Sequence, residues 1–265
     1  MRQDVWQRRI ERAEELGKKY AFAAEILELY GVLATQQSRI FQGLEASQGK
    51  GLLKADGTIE DICPMADEEF VEFLRVLEGK APAPVAQHAG ELRQGAQEIR
   101  ENLLNGYWNG NPAPMQDVEQ FIARAFLQPF AEALRGHSQT DGSMHTPTLC
   151  PFCGRRPGLG ALRPLGEGAQ RSLICSFCLA EWPFRRIFCP GCGEEKDRKL
   201  PVYAANEIQH VRVDACDSCK TYLKTVDLTR NGLAEPVVDE IAAIPLDLWA
   251  REQGYVKLQV NLMQI

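Results

Sequence analysis

The sequence predicts an α+β chain: an N-terminal all-α helical bundle, two tandem rubredoxin-like or zinc-ribbon small β domains, and a short C-terminal helical segment. Three observations predict it. Apolar residues recur at helical spacing through the first half, eight of the nine cysteines fall in the second half as Cys-x-x-Cys pairs, and short β-like runs lie in that same half. The expected boundaries are 1–137 for the helical domain, 147–186 and 187–230 for the ribbons, and 231–265 for the tail.

The helical reading starts from Trp6, Ile10, Ala13, Leu16 and Tyr20, continued by Ala24, Leu27 and Leu33. This spacing predicts one long helix running towards Leu44, bent near Gly31. Residues 49–57 (GKGLLKADG) read as loop. Cys63-Pro64 is expected to open a second helix, with Pro in its first turn and Asp67, Glu68 and Glu69 complementing the dipole. Phe70, Phe73, Leu74 and Leu77 form its apolar face. A third helix is expected from Val85 to Tyr107, ended by NGNPAP at 109–114. The fourth carries Val118, Phe121, Ile122, Ala125, Phe126 and Phe130, with Pro129 disturbing it locally. The polar stretch 136–147 is the natural linker. Beyond it, Leu200–Ala204, His210–Val213 and Thr221–Leu228 read as strands. In the last, Tyr222, Val226 and Leu228 share a face on which Lys224 is the polar exception. From Pro236 to Gly254 helical spacing returns.

Composition narrows the function. The 265 residues carry a net charge of −6, which argues against phosphate-backbone binding as the main task. The first twenty residues hold no apolar signal segment. The stretch Ala21–Ala34, interrupted by Glu25 and Glu28, is too short and too charged to span a bilayer. A cytoplasmic protein without membrane insertion is expected, and in that compartment nine cysteines point to metal rather than disulfides.

The four knuckles are Cys150-Pro-Phe-Cys153, Cys175-Ser-Phe-Cys178, Cys189-Pro-Gly-Cys192 and Cys216-Asp-Ser-Cys219, with spacers of 21, 10 and 23 residues. The first and third both read Cys-Pro-x-Cys-Gly, so a unit of about 40 residues is duplicated. Two residues between cysteines let one tight turn aim both sulfurs at one metal. Gly after the second cysteine accepts the positive φ that turns backbone N–H groups towards sulfur. A spacer of some 20 residues suffices for a hairpin. The expected sites are therefore Cys150, Cys153, Cys175 and Cys178, and Cys189, Cys192, Cys216 and Cys219, one metal ion each. Zinc and iron both suit tetrahedral S₄. Full Cys₄ coordination leaves no open position, so hydrolysis at the metal is not expected.

Other residues read more plainly. Cys63 at a helix start is expected to be a small buried hydrophobe. His145 and His210, near knuckles, read as loop residues. Arg163, Arg171, Arg185, Arg186 and Arg212 read as a face that offsets thiolate charge. Tyr107 and Trp108 read as core. No catalytic constellation or phosphate loop is visible, and no enzyme is expected.

The run SLICSFCLAEWPFRRIFCPGCG, then ACDSCKTYLKTVDL, then IPLDLWAREQGYVKLQVNLM resembles the FdhE family, the formate dehydrogenase accessory proteins. The likeness is strongest from Leu149 to Asn261, includes the Gly254-Tyr255 pair, and maps the family's cysteine motifs onto all eight knuckle cysteines. It departs at Trp182, followed here by Pro183 where relatives often carry His. The resemblance implies a cytoplasmic, non-catalytic maturation factor. Its partner would be the catalytic subunit of a molybdenum- or tungsten-dependent formate dehydrogenase, with iron or zinc at the rubredoxin-like sites and self-association left open. Two alternatives from the residues themselves are a one-electron carrier with rubredoxin-type iron and a zinc-ribbon nucleic-acid-binding protein.

Overall fold

The computed structural model describes residues 2–48, 59–110, 115–135 and 148–265, apart from the side chains of 2–4, 47–48 and 59–65. The expected loop at 49–57, residues 111–114 of the expected break, the linker 136–147, His145 and the Cys63 side chain lie outside the described residues. The fold is α+β, helices first and a sheet with the cysteines after. It divides into two compact units, Met1–Gln7 with Leu29–Ser138, and Arg8–Glu28 with Gln139–Ile265.

Among the described residues six α-helices precede the sheet: α1 (Arg2–Lys19), α2 (Ala24–Gln48), α3 (Ile59–Lys80), α4 (Ala83–Gln94), α5 (Gln97–Trp108) and α6 (Asp117–Arg135). The single long helix expected at the N-terminus is two. Tyr20 is extended, with φ −119° and ψ 91°, and one 3₁₀ turn, Ala21–Ala23, follows it. Gly31 lies within α2 with nothing near the place of a Cβ, so it lowers helix propensity without forcing a bend. α3 begins at Ile59, before the Cys63-Pro64 signal, so Pro64 stands in its second turn and forgoes the bond to the Glu60 carbonyl. The expected third helix is α4 and α5, interrupted at Gly95, whose backbone is extended. Arg100 of α5 satisfies the interrupted end. Its Nη1 donates to the Gly95 carbonyl at 2.8 Å and its Nε to Asp67 Oδ1 at 2.7 Å.

In the first unit Phe70, Phe73, Leu74, Leu77, Ile122 and Phe126 are fully buried. The Phe126 ring stands 4.7 Å from Phe70 and 5.6 Å from Phe73 in tilted contacts. Tyr107 is buried as expected. Pro129 sits inside α6 and has no N–H for the carbonyl of Ala125, four residues back. Gln37 of α2 fills the gap: its Nε2 donates to that carbonyl at 2.7 Å. Gln37→Leu keeps the volume and removes the donor. It is expected to destabilise the unit by about 1–3 kcal/mol, the cost of an unsatisfied buried carbonyl. Urea unfolding checks this, and an unchanged midpoint would mean that the carbonyl finds another donor.

The second unit holds a seven-stranded sheet. Its strands are β1 (Pro157–Leu165), β2 (Gly168–Cys175), β3 (Glu181–Pro183), β4 (Val202–Ala204), β5 (Val211–Ala215), β6 (Thr221–Asp227) and β7 (Val256–Lys257). The order is β3-β2-β1-β6-β5-β4, with β7 also on β6. Each ribbon contributes an antiparallel set, and β1 joins β6 in parallel through Gly160↔Thr225, Ala161↔Val226 and Leu162↔Asp227. The two ribbons thus share one sheet. Gly160 permits the join, because a Cβ there would collide with the Thr225 hydroxyl. Helices α7 (Pro236–Ala242) and α8 (Ile244–Glu252) follow. Ala243, Leu246 and Ala250 enter one apolar cluster with Leu159, Ile174, Val211, Val213, Tyr222 and Val226. The α1 residue Arg12 closes on α7, with its Nε 3.0 Å from Asp239 Oδ2 and its Nη2 2.6 Å from Oδ1. Among the described residues no helix is long and apolar enough to cross a membrane.

Candidate metal centres

Each knuckle is a turn closed by backbone. The amide of the first cysteine donates five residues ahead: Cys150 to Arg155 at 2.8 Å, Cys175 to Ala180 at 2.8 Å, Cys189 to Glu194 at 2.9 Å and Cys216 to Thr221 at 2.9 Å. The residue after the second cysteine is left-handed in all four: Gly154 (φ 70°), Leu179 (φ 52°), Gly193 (φ 76°) and Lys220 (φ 56°). The two glycines were legible. Leu179 and Lys220 were not, although the duplication places them at the same position. Gly154 has nothing within 4 Å of a Cβ position, so Gly154→Ala tests the backbone alone. The variant is expected to lose about 1–2 kcal/mol, read as a lower thermal midpoint of the metal-loaded protein. An unchanged midpoint would show that the turn tolerates another φ.

The turns aim backbone at sulfur as expected. Phe152 N lies 3.5 Å from Cys150 Sγ, Phe177 N 3.4 Å from Cys175 Sγ and Gly191 N 3.3 Å from Cys189 Sγ. At the fourth knuckle the Thr221 hydroxyl lies 3.0 Å from Cys219 Sγ. These contacts stabilise thiolate charge.

The eight cysteines gather as two groups of four, Cys150, Cys153, Cys175, Cys178 and Cys189, Cys192, Cys216, Cys219, with the sulfurs of each group all within 4.8 Å of one another. Cross-knuckle separations include 3.5 Å (Cys150–Cys178), 3.4 Å (Cys153–Cys175), 3.7 Å (Cys189–Cys219) and 3.7 Å (Cys192–Cys216). Disulfide sulfurs would stand about 2.05 Å apart. Sulfurs on a tetrahedron about 2.3 Å from a central metal stand roughly 3.8 Å apart. The donor set and its spacing fit a metal at each group. Each group has one exposed cysteine, Cys153 in the first and Cys192 in the second, and Cys219 of the second is half-buried.

Protonation makes the same point. Burial drives the Cys189 thiol up to about 12. Burial also pushes Cys219 up, but hydrogen bonds from Thr221 hold it at about 7. A cation at the centre supplies the charge that lets all four sulfurs ionise together.

The other sequence candidates fall elsewhere. His210 is no sulfur neighbour: its Nε2 lies 2.7 Å from Asp239 Oδ1. The arginines are engaged within the unit: Arg163 with Glu181 at 2.7 Å, Arg185 with Glu195 at 2.8 Å, Arg212 with Asp214 at 2.8 Å, and Arg186 donating to the Ala169 carbonyl at 2.7 Å. Pro183, which departs from the resembled pattern, lies in β3 opposite Ser172.

Comparison with known proteins agrees with this geometry. Residues 187–264 match the family described as FdhE, C-terminal domain. A protein FdhE homolog of Aquifex aeolicus is 26% identical over 260 residues, covering 96% of this chain and 90% of the relative. One of Shewanella oneidensis is 28% identical over 228 residues, covering 83% and 68%. The crystal structure of the FdhE protein from Pseudomonas aeruginosa superposes with a TM-score of 0.73 at 24% identity, covering 99% of this chain and 96% of that one. It has the same fold.

Proposed function

We propose that this chain, whose residues 187–264 match the FdhE C-terminal domain and which is similar to an FdhE homolog over 96% of its length, is an FdhE-family accessory protein for formate dehydrogenase maturation. In this reading it binds the catalytic subunit in the cytoplasm and performs no catalysis. The eight knuckle cysteines hold two metal ions, zinc or iron, that stabilise the binding scaffold. The observation that carries the reading is the pair of closed four-cysteine groups on one shared sheet, in a chain similar to FdhE homologs over 96% of its length. Four thiolates saturate a tetrahedral ion, so the metal offers no position for substrate. Its contribution is to fix the surface around it, and with iron also to change charge by one electron.

An anaerobic pull-down from the native host, with Cys189→Ser alongside, tests the reading. Recovery of a formate dehydrogenase catalytic subunit by the wild type and its loss with the variant are expected. No dehydrogenase subunit from a host expressing the enzyme would overturn it. The visible spectrum of the protein distinguishes the metals, since ferric S₄ is red and zinc is colourless.

A further inference from the structure

Arg171 is four residues before Cys175 on β2, so the two side chains leave the same face of the strand. Cys175 belongs to the first cysteine group, yet the Arg171 guanidinium is spent on the surroundings of the second. Its Nη1 donates to the carbonyls of Arg185 at 3.0 Å, Arg186 at 3.4 Å and Phe188 at 3.3 Å. Phe188 is the residue immediately before Cys189. The Arg171 Nη2 pairs with Asp214 Oδ2 at 3.1 Å, two residues before Cys216. Asp214 is fixed in turn by the Thr225 hydroxyl at 2.9 Å and Arg212 Nε at 2.8 Å. One planar fork therefore ties the approaches to both knuckles of the second group to a strand that ends in the first.

The surroundings make this fork hard to replace. Arg171 is only 4% exposed, and its guanidinium lies 5.4 Å from the Phe184 ring. It shares the wall of a cavity of about 50 Å³ with Cys189 and Cys216. The Nη1 and Nη2 donors, fixed in one rigid plane, serve a cluster of carbonyls and one carboxylate, which a lysine or an amide would not span.

We infer that Arg171 couples the two four-cysteine sites, so that metal bound at the first holds metal at the second. The inference rests on the reading that both groups bind metal. When the first site is empty, the end of β2 loses its anchor at Cys175, Arg171 loses its fixed origin, and both approaches to the second site loosen.

The full chain loaded with zinc, challenged with excess chelator and followed with a colorimetric zinc indicator, tests this. Cys216→Ser identifies the first-site phase. Two zinc ions per chain are expected for the wild type and one for Cys175→Ser, and fewer than two in the wild type would sink the metal reading itself. Given two, Cys175→Ser is expected to release its remaining zinc about tenfold faster than the wild type releases second-site zinc. In an Arg171→Gln background, Cys175→Ser should accelerate that release by well under tenfold, the remainder being what the β1–β6 pairing transmits. Independent multiplication of the two effects, or an unchanged second-site rate in Cys175→Ser, would overturn the coupling. Should Arg171→Gln fail to fold, Asp214→Asn removes one partner of the fork, and the same cycle applies to it.

Discussion

Stripping the metal is expected to abolish the folded sheet of the second unit while leaving the first unit helical. The eight sulfurs stand at tetrahedral separations, and none of them belongs to the unit made of Met1–Gln7 and Leu29–Ser138. Structural zinc contributes about 10–16 kcal/mol of apparent binding free energy in zinc-finger peptides. A domain whose net stability is roughly 5–15 kcal/mol cannot lose two such terms and stay folded. The loss should not stop at one ribbon. β1 and β6 belong to different ribbons and pair directly, and the Leu228 amide donates to the Leu162 carbonyl at 2.9 Å. Hydrogen exchange read by mass spectrometry decides the matter. After chelation, the amides of β5 and β6 should exchange at near-unfolded rates while α3 and α6 keep their protection. Retained protection of β5 and β6 in metal-free protein would mean that the apolar cluster beneath α7 and α8 holds the sheet alone.

The two four-cysteine groups were legible because their geometry is local. Two residues between cysteines leave one way to aim both sulfurs together, and the duplicated Cys-Pro-x-Cys-Gly says which knuckles belong to which unit. The first ribbon's leading strand was hidden for a local reason too. Pro157, Gly158, Gly160 and Pro164 have poor strand propensity, and the glycines are there because neighbours come close: a Cβ on Gly158 would stand 3.2 Å from Ser176 Cα. Helix breaks at Tyr20 and Gly95 were misplaced or missed because they depend on partners far along the chain, such as Asp67, which holds Arg100 against the Gly95 carbonyl from 33 residues away. The Arg171 contacts and the pairing of Asp239 with both Arg12 and His210 join residues 14 to 227 positions apart, beyond the reach of any spacing rule. Lys224 was recognisable as a misfit on an apolar strand face, but its reason was not.

That reason supports the second large expectation. Lys224 is completely buried. Its Nζ pairs with Asp247 and with Glu240 Oε1, the latter at 3.1 Å. Lys257 joins the same two carboxylates, standing 3.0 Å from Asp247 Oδ1. Tyr222 donates to Asp247 at 2.8 Å and Asn261 to Glu240 at 2.7 Å. Two ammoniums thus balance two carboxylates, with their remaining oxygens hydrogen-bonded. Lys224→Met leaves one ammonium for two buried carboxylates and should cost about 3–5 kcal/mol, as when one member of a buried ionic group is removed. Removing Asp247 as well, as Lys224→Met with Asp247→Leu, restores charge balance and should cost less than the single change. The pH dependence follows with a definite sign. Burial raises the Glu240 carboxyl, but Lys224 and Lys257 outweigh it and hold it near 2, against about 4.3 in an unfolded chain. A depressed carboxyl contributes its stability above the unfolded value and loses it as pH falls through the interval towards 2. Without Lys224 the Glu240 pKa should rise, so the acid-unfolding midpoint of Lys224→Met should move to higher pH than that of the wild type. Guanidinium melts at several pH values measure both quantities. A loss below about 1 kcal/mol, within the range of exposed pairs, would show that water reaches the cluster and that its charges are not the ones holding α7 and α8 to the sheet.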